Sequence, residues 1–337
     1  MSDVAVVSEH GGSGLDFLQS HFPHAPRPWL DLSTGICPWA YPHPAISQLA
    51  LASLPSPSLL NGCRTGAAGY FNIPKENLAV LPGSQAAISL LPRLFSPRRV
   101  SVLEPTYNEH AQAWRLSGHE VVPIQHPEGD IADILVLTNP NNPDGRLFRR
   151  DELLALVTER SRQDRWTIVD EAFIDLVPSE SIANACARNK LVVLRSFGKF
   201  FGLAGLRLGF AIAKQGIARQ LEDAIGPWAV SGAALEIGAR AYRDNDWQSS
   251  NRHRLHRAIL QQREILSRAG LCDMGGTDLF ILSEHPNAAG LFRRLCELGI
   301  YVRKFQSRPD QLRFGLVPDE TSHQRLEDAL NLWVLHR

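Results

Sequence analysis

The sequence predicts an α/β fold: a mostly parallel, seven-stranded type of sheet with helices on both faces, together with a smaller α+β domain. From about Leu78 to Ala213, short apolar segments alternate with helical ones. This alternation is typical of βαβ units, which build parallel sheets. After Pro227 the pattern changes to long helical stretches followed by three short apolar segments and a last helix. The change indicates a second domain.

Each predicted element follows from its local pattern. Short apolar runs predict the strands of the sheet, which are Val100–Leu103, Val121–Ile124, Ile134–Leu137, Thr167–Val169, Leu191–Leu194 and Leu208–Ile212. Helical stretches are predicted over Ser84–Phe95, Asp151–Arg162, Gln215–Ala224, Ala233–Asp244, Trp247–Ala269 and Glu320–Leu335. Later strands are predicted at Leu279–Leu282, Ile300–Lys304 and Leu312–Leu316. Because proline lacks a backbone N–H, we expect Pro92 to bend or end the first helix.

The length also favours more than one domain. The chain has 337 residues, of which 44% are hydrophobic, and this is enough for a sizeable core. We expect an N-terminal segment over residues 1–40 that packs on the small domain and the active site. The large domain is predicted over residues 41–227 and the small one over residues 228–337.

Composition excludes several classes of protein. Lys plus Arg equals Asp plus Glu at 35 each, so no global field attracts nucleic acid or an anionic membrane. No apolar run approaches the length of a membrane span, and the first residues lack a signal-peptide pattern. The five cysteines are odd in number and show no Cys-x-x-Cys spacing, which argues against a disulfide framework or a metal site. These features indicate a cytoplasmic metabolic enzyme without a metal ion.

Polar residues follow three of the predicted strands. Asp170 ends the run after Trp166, Asn142 lies in a turn rich in Pro and Asn, and Tyr107 follows Glu104-Pro105. Ligands of open α/β sheets collect at this carboxyl edge. Taken alone, each residue also has an ordinary structural interpretation: a capping Asp, a plain loop and a packing Tyr.

Two further motifs indicate an anion-binding site and a reactive amine. Gly83-Ser84-Gln85 joins a strand end to a helix, and free N–H groups at a helix start can bind an anion, although Ser84 is also an ordinary N-cap. Ser196 precedes Lys199 by three positions, and Arg207 follows eight positions later. Such a lysine can form a Schiff base with pyridoxal phosphate while the serine and the arginine hold the phosphate.

In this order the motifs resemble the aspartate-aminotransferase superfamily, the fold-type I pyridoxal-phosphate enzymes, over nearly the whole chain. The resemblance implies pyridoxal 5'-phosphate as the cofactor, Lys199 as the catalytic residue and a homodimer. It implies a cofactor site made of Gly83, Ser84, Gln85, Tyr107, Asn142, Asp170, Phe173, Ser196, Lys199 and Arg207. Arg313 matches the arginine that pairs with the α-carboxylate of the substrate.

Finer motifs resemble the threonine-phosphate decarboxylase family of cobalamin biosynthesis. They include His10-Gly11-Gly12, Ser33-Thr34-Gly35, Pro82-Gly83-Ser84-Gln85 and Asp170-Glu171-Ala172-Phe173. This resemblance implies decarboxylation of O-phospho-L-threonine, with a substrate site of His10, Gly11, Gly12, Asn142 and Arg313. The family resemblance has departures: Asp144 and Ser13 replace the usual Thr and Asn, and Leu54-Pro55 stands where relatives carry a Tyr that reaches the neighbouring subunit.

Two alternatives remain open at this point. A histidinol-phosphate type of aminotransferase shares every cofactor residue and Arg313, but superfamily transaminases usually carry Tyr at the position of Phe173. The same fold also serves as an effector domain in transcription factors. About thirty residues precede Leu30, which is too few for a DNA-binding domain.

Overall fold

The computed structural model of the protein describes residues 14–335. Its strands are β1 (Leu30–Leu32), β2 (Leu78–Leu81), β3 (Arg99–Leu103), β4 (Glu120–Ile124), β5 (Ile134–Thr138), β6 (Trp166–Asp170), β7 (Leu191–Ser196), β8 (Gly209–Ile212), β9 (Cys272–Thr277), β10 (Phe280–Glu284), β11 (Ile300–Lys304) and β12 (Gln311–Gly315). Its α-helices are α1 (Leu15–His21), α2 (Gln48–Ala52), α3 (Pro57–Phe71), α4 (Ser84–Leu90), α5 (Glu109–Leu116), α6 (Arg150–Arg162), α7 (Phe197–Phe200), α8 (Gln215–Ile225), α9 (Gly232–Ala241), α10 (Asn245–Arg268), α11 (Ala288–Glu297) and α12 (Glu320–Leu335).

The structure divides into two compact units. The larger one comprises residues 40–142 and 146–249, and the smaller one comprises residues 14–39, 143–145 and 250–335 of the described chain. The predicted boundary lies after residue 227, whereas the larger unit continues to Ser249 because α9 packs against α3.

The larger unit is built on a seven-stranded sheet in the order β2-β8-β7-β6-β5-β3-β4. Strand β8 runs antiparallel to β2 and β7, while the other neighbours are parallel. The predicted mostly parallel sheet is therefore confirmed. Thr138 pairs with Asp170 and Asp170 with Leu194, so the carboxyl ends of β5, β6 and β7 lie side by side.

The central strands are buried on both faces, as expected of a parallel sheet covered by helices. Every residue of β5 and β8 is buried. Helices α4, α5 and α8 pack on one face, where Ile88, Trp114 and Leu221 join the core. Full burial of one such side chain contributes roughly 1.5–3 kcal/mol, so this layer holds the strand ends in place.

Local sequence explains where the helices begin and end. Helix α3 starts after Ser56, whose Oγ accepts the backbone N–H of Leu59 at 3.2 Å, and Asn72 ends it with a left-handed φ of 54°. Helix α4 ends at Leu90, where a 3₁₀ turn that contains Pro92 follows. The expected effect of Pro92 is confirmed. Within residues 14–335, no helix is both long and apolar enough to cross a membrane.

The smaller unit contains a five-stranded sheet in the order β1-β11-β12-β10-β9. Strand β1 pairs in parallel with β11, and the other pairs are antiparallel. Helix α10 is tied to this sheet by the buried Gln262, whose Nε2 donates to the carbonyl of Gly315 at 2.8 Å. Its Oε1 accepts the N–H of Val317 at 3.0 Å. These bonds fix the end of β12, the strand that carries Arg313.

Candidate active site

The carboxyl edge of the larger sheet collects the predicted cofactor residues. Asp170 is the last residue of β6 and Ser196 the last of β7, which is the neighbouring strand. Asn142 follows the end of β5 by four positions, and Lys199 lies in the short helix α7 directly after Ser196. Residues that are far apart in sequence thus come together because parallel strands end at one edge.

The Asp170 carboxylate is buried and held by two donors. Its Oδ2 lies 2.9 Å from Nε2 of His110, and its Oδ1 accepts the backbone N–H of Ala172 at 3.0 Å. The side chains of Asp170 and His110 are only 5% and 2% exposed. These two contacts fix the orientation of the Asp170 carboxyl group.

His110 was missed by the sequence reasoning. It occupies the second position of α5, and nothing in its local sequence distinguishes it from a core histidine. Its role depends on how α5 packs on the sheet, which the chain order does not specify.

Lys199 lies in an aromatic, largely buried environment. Its Nζ is 5.9 Å from the centre of the Phe173 ring, and Phe173 is 4% exposed. The neighbours Phe197 and Phe200 in α7 are fully buried. Lys199 therefore lies between residues that are packed into the core, with its Nζ near one aromatic ring.

Glycines allow Arg207 to approach the start of α4. A Cβ on Gly83, whose φ is +87°, would lie 2.7 Å from Nη2 of Arg207, and a Cβ on Gly209 would lie 2.2 Å from the backbone nitrogen of Ser84. Arg207 itself adopts a left-handed φ of 52°. The resulting group of a guanidinium, a serine hydroxyl and a helix start forms a cradle that suits a phosphate.

Tyr107 is held on two sides. Its ring meets the ring of His110 edge to face, with centroids 6.1 Å apart, and its hydroxyl lies 3.2 Å from Oε1 of Gln85. Nε2 of Gln85 in turn lies 3.3 Å from Oε2 of Glu109. Tyr107 and Gln85 were predicted from the sequence, whereas Glu109 was missed.

A buried charge cluster lies directly behind the edge. Glu171 follows Asp170, and Arg195 precedes Ser196; Nη1 of Arg195 donates to Oε2 of Glu171 at 3.2 Å, and its Nη2 donates to Asp175. Burial lowers the pKa of Arg195, but Asp175 and Glu171 together outweigh burial, and the net pKa is raised. The cluster therefore joins the ends of β6 and β7 just below the residues that face the site.

Arg313 belongs to the smaller unit, on β12. It is 7% exposed, donates from Nη2 to the carbonyl of Ser33 at 2.9 Å and lies 5.0 Å from the centre of the Phe280 ring. Burial and then the charge of Arg303 lower its pKa to about 9. Arg303 is directly opposite Arg313 in the β11–β12 register.

Arg303 was not among the site residues predicted from the sequence. The register of β11 on β12 reveals it as the neighbour of Arg313, and two cations opposite each other suit an anionic ligand. The predicted substrate residues His10, Gly11 and Gly12 lie outside the described residues.

The fold and the site define the class to which the protein belongs. The aminotransferase class I and II family matches residues 47–330, and the chain is a member of it.

Within this family, the chain is similar to particular enzymes. It is 43% identical over 327 residues to the threonine-phosphate decarboxylase of Pseudomonas aeruginosa, covering 96% of this chain and 97% of that one. It is 41% identical over 329 residues to the threonine-phosphate decarboxylase of Sinorhizobium sp, covering 95% and 97%. A histidinol-phosphate aminotransferase of Ruminiclostridium cellulolyticum is 28% identical over 263 residues, covering 71% and 72%.

Solved structures share the fold. The histidinol-phosphate aminotransferase of Sinorhizobium meliloti in complex with pyridoxal-5'-phosphate has a TM-score of 0.81 at 16% identity, covering 96% of this chain and 95% of that one. The L-threonine-O-3-phosphate decarboxylase of Porphyromonas gingivalis has a TM-score of 0.75 at 21% identity, covering 91% and 99%. At these identities the likeness concerns the fold.

Proposed function

We propose that the protein is a pyridoxal-phosphate-dependent carboxy-lyase that converts O-phospho-L-threonine to (R)-1-amino-2-propanol phosphate and carbon dioxide for cobalamin biosynthesis. The observation that carries this proposal is the identity of 43% and 41%, over nearly the whole chain, to two threonine-phosphate decarboxylases. The histidinol-phosphate aminotransferase matches less of the chain at 28% identity.

The residues at the carboxyl edge fit pyridoxal phosphate. Arg207, Ser84, Ser196 and the backbone N–H of Gln85 supply donors of the kind that a phosphate needs, beside Gly83, at which a Cβ would lie 2.7 Å from the guanidinium. Asp170, oriented by His110, supplies a buried carboxylate for a protonated pyridine nitrogen. Tyr107 supplies a stacking ring, and the side-chain amide of Asn142 supplies a donor for the phenolic oxygen. When bound, the cofactor supplies an electron sink for the electron pair left at Cα.

Lys199 has two tasks in this proposal. Lys199 would hold the cofactor through Nζ. Once the substrate amine has replaced it and given up its protons, the Lys199 ammonium would donate one proton to Cα, where carbon dioxide has left. The Phe173 ring lies 5.9 Å from Nζ and gives this amine an apolar neighbour.

Two arginines of the smaller unit provide charge for a substrate that bears a carboxylate and a phosphate. We assign Arg313 to the α-carboxylate, because a planar guanidinium can bind both carboxylate oxygens. We assign Arg303, opposite it in the sheet, to the phosphate. Since an anion relieves the repulsion between the two guanidinium groups, binding favours a substrate with two negative groups over one with a single group.

Phe173 supports decarboxylation over transamination. Its buried ring cannot donate a hydrogen bond, whereas a Tyr hydroxyl at this place would donate to the phenolic oxygen of the cofactor. We infer that the chain works without this bond. We also propose that it acts in the cytoplasm as a homodimer.

The direct test is incubation of the pyridoxal-phosphate-loaded protein with O-phospho-L-threonine, with and without a 2-oxo acid acceptor. We expect acceptor-independent release of carbon dioxide and of aminopropanol phosphate in equal amounts. The variant Lys199→Ala, prepared in the same way, should release neither.

A different product pattern would overturn the proposal. Turnover that needs the acceptor and yields a 2-oxo product without carbon dioxide would identify an aminotransferase. Histidinol phosphate should be tested in parallel, because it is the substrate of that alternative.

A further inference from the structure

Three side chains beside the candidate cofactor site form a hydrogen-bonded chain. Tyr107 lies in the loop between β3 and α5, Gln85 in the first turn of α4, and Glu109 is the first residue of α5. The hydroxyl of Tyr107 is 3.2 Å from Oε1 of Gln85, and Nε2 of Gln85 is 3.3 Å from Oε2 of Glu109. All three are partly buried.

The chemistry of the groups sets the direction of this chain. An ionised carboxylate only accepts hydrogen bonds, so Glu109 turns the NH₂ group of the Gln85 amide toward itself. The carbonyl oxygen of the amide then faces Tyr107, and the phenol must donate. The chain therefore runs from the phenol through the amide to the carboxyl group.

The other side of Tyr107 is also fixed. Its ring packs edge to face on His110, with centroids 6.1 Å apart, and Nε2 of His110 lies 2.9 Å from Asp170. Two contacts therefore fix the orientation of the Tyr107 ring. One is the edge-to-face contact with His110, and the other is the hydrogen bond from its hydroxyl to Gln85. Only the second contact can be removed without touching the Asp170 pair.

We propose that Glu109 is a positioning residue, which acts through the side chain of Gln85 to hold the ring of Tyr107 in the orientation for stacking on the cofactor. This inference rests on the proposed function, in that Tyr107 contacts pyridoxal phosphate. The side chain of Gln85 then serves the ring of Tyr107, since its amide group is bound between a phenol and a carboxylate. A mobile ring stacks less well because it loses freedom when the cofactor binds.

The test measures cofactor binding and cofactor geometry, both independent of turnover. The variants are Glu109→Ala, Tyr107→Phe and the double variant, with Glu120→Gln as the control because Glu120 is exposed at the start of β4. For each, the dissociation constant of pyridoxal phosphate is measured by titration, and the circular dichroism of the bound cofactor reports the orientation of its ring. Urea unfolding of the cofactor-free protein checks that each variant is folded.

We expect Glu109→Ala to raise the dissociation constant about tenfold, which corresponds to about 1.4 kcal/mol. It should also change the circular dichroism band of the cofactor. Because Tyr107→Phe already removes the donating hydroxyl, the double variant should bind as Tyr107→Phe does. Glu120→Gln should match the unchanged protein.

Two results would overturn the inference. One is an unchanged dissociation constant and an unchanged band in a folded Glu109→Ala variant. The other is a double variant in which the two losses add, since Glu109 would then act independently of the Tyr107 hydroxyl. Failure of the unchanged protein to bind pyridoxal phosphate would instead contradict the proposed function, so the two failures are distinguishable.

Discussion

Two buried arginines, Arg195 in the larger unit and Arg313 in the smaller one, have net pKa shifts of opposite sign because their charged neighbours differ. Arg195 is 2% exposed and lies between Glu171 and Asp175, and its pKa is raised despite its burial. Arg313 is 7% exposed, and burial together with Arg303 lowers its pKa to about 9. The difference lies in the neighbours, since two carboxylates surround Arg195, whereas Arg313, which we propose as an anion ligand, lies opposite another guanidinium.

The largest expected effect is on stability, from the variant Arg195→Met. It leaves two buried carboxylates without their cation, and breaking a buried ion pair in this way typically costs about 3–5 kcal/mol. Urea unfolding of the cofactor-free protein measures this loss. Arg188→Met, at an exposed position, is the matched control and should change stability by less than about 0.5 kcal/mol. If Arg195→Met lost less than about 0.5 kcal/mol, as the control does, Arg195 would not be needed for stability and the contrast with Arg313 would be wrong.

The second expected effect is on activity, from the variant Arg313→Met. The lowered pKa indicates that the free protein carries this charge at a cost, so its removal should leave the stability unchanged or higher. If Arg313 binds the α-carboxylate as we propose, its loss should reduce kcat/KM by about 100-fold, or about 2.7 kcal/mol. Arg313→Lys keeps the charge but cannot bind both carboxylate oxygens. Its kcat/KM should therefore lie between those of the unchanged protein and of Arg313→Met. A stability loss as large as that of Arg195→Met, with kcat/KM retained, would assign Arg313 to the fold instead.

The smallest expected effect is a change in the pH dependence of stability, from the variant Glu171→Gln. This variant keeps Arg195 paired with Asp175, so the loss should be only about 1–2 kcal/mol. Burial raises the pKa of the Glu171 carboxyl above its ordinary value of 4.5, so the native protein keeps this proton to a higher pH than the unfolded chain does. The stability that the protonated Glu171 contributes is fully present below the ordinary pKa of 4.5. It is lost as the pH rises through the pKa of Glu171 in the folded protein.

Urea unfolding at a series of pH values from 4 upward tests the direction of this pH dependence. The stability of the unchanged protein should fall more steeply with rising pH than that of Glu171→Gln. Parallel curves would show that Glu171 titrates alike in both states and would contradict the raised pKa.

Much of the fold follows from local pattern. The strands β3 to β8 were predicted within two residues, because each contains a short apolar run. By contrast, β9 was missed, since Cys272–Thr277 contains Gly275 and Gly276 with φ values of 116° and 146°. A Cβ on Gly275 would lie 2.2 Å from the carbonyl oxygen of Asp144. A close backbone approach therefore explains these glycines, and it leaves no strand pattern in the sequence.

The candidate site shows the same limit. Asp170, Ser196 and Lys199 lie at strand ends, where chain order alone indicates the shared edge. His110 and Glu109 lie on α5, and their partners depend on how that helix packs. Arg303 needs the register of β11 on β12, which depends on the pairing of residues that are distant in sequence.

The backbone at Arg207 has a consequence for the evolution and engineering of this chain. Its left-handed φ of 52° costs a residue with a side chain roughly 1–2 kcal/mol, and glycine adopts the same conformation readily. Selection for thermal stability alone, in the absence of cofactor, would therefore favour glycine at position 207. The same selection would discard the guanidinium that we propose for the phosphate. A thermostability screen on this protein thus needs cofactor present throughout, or it will enrich inactive variants.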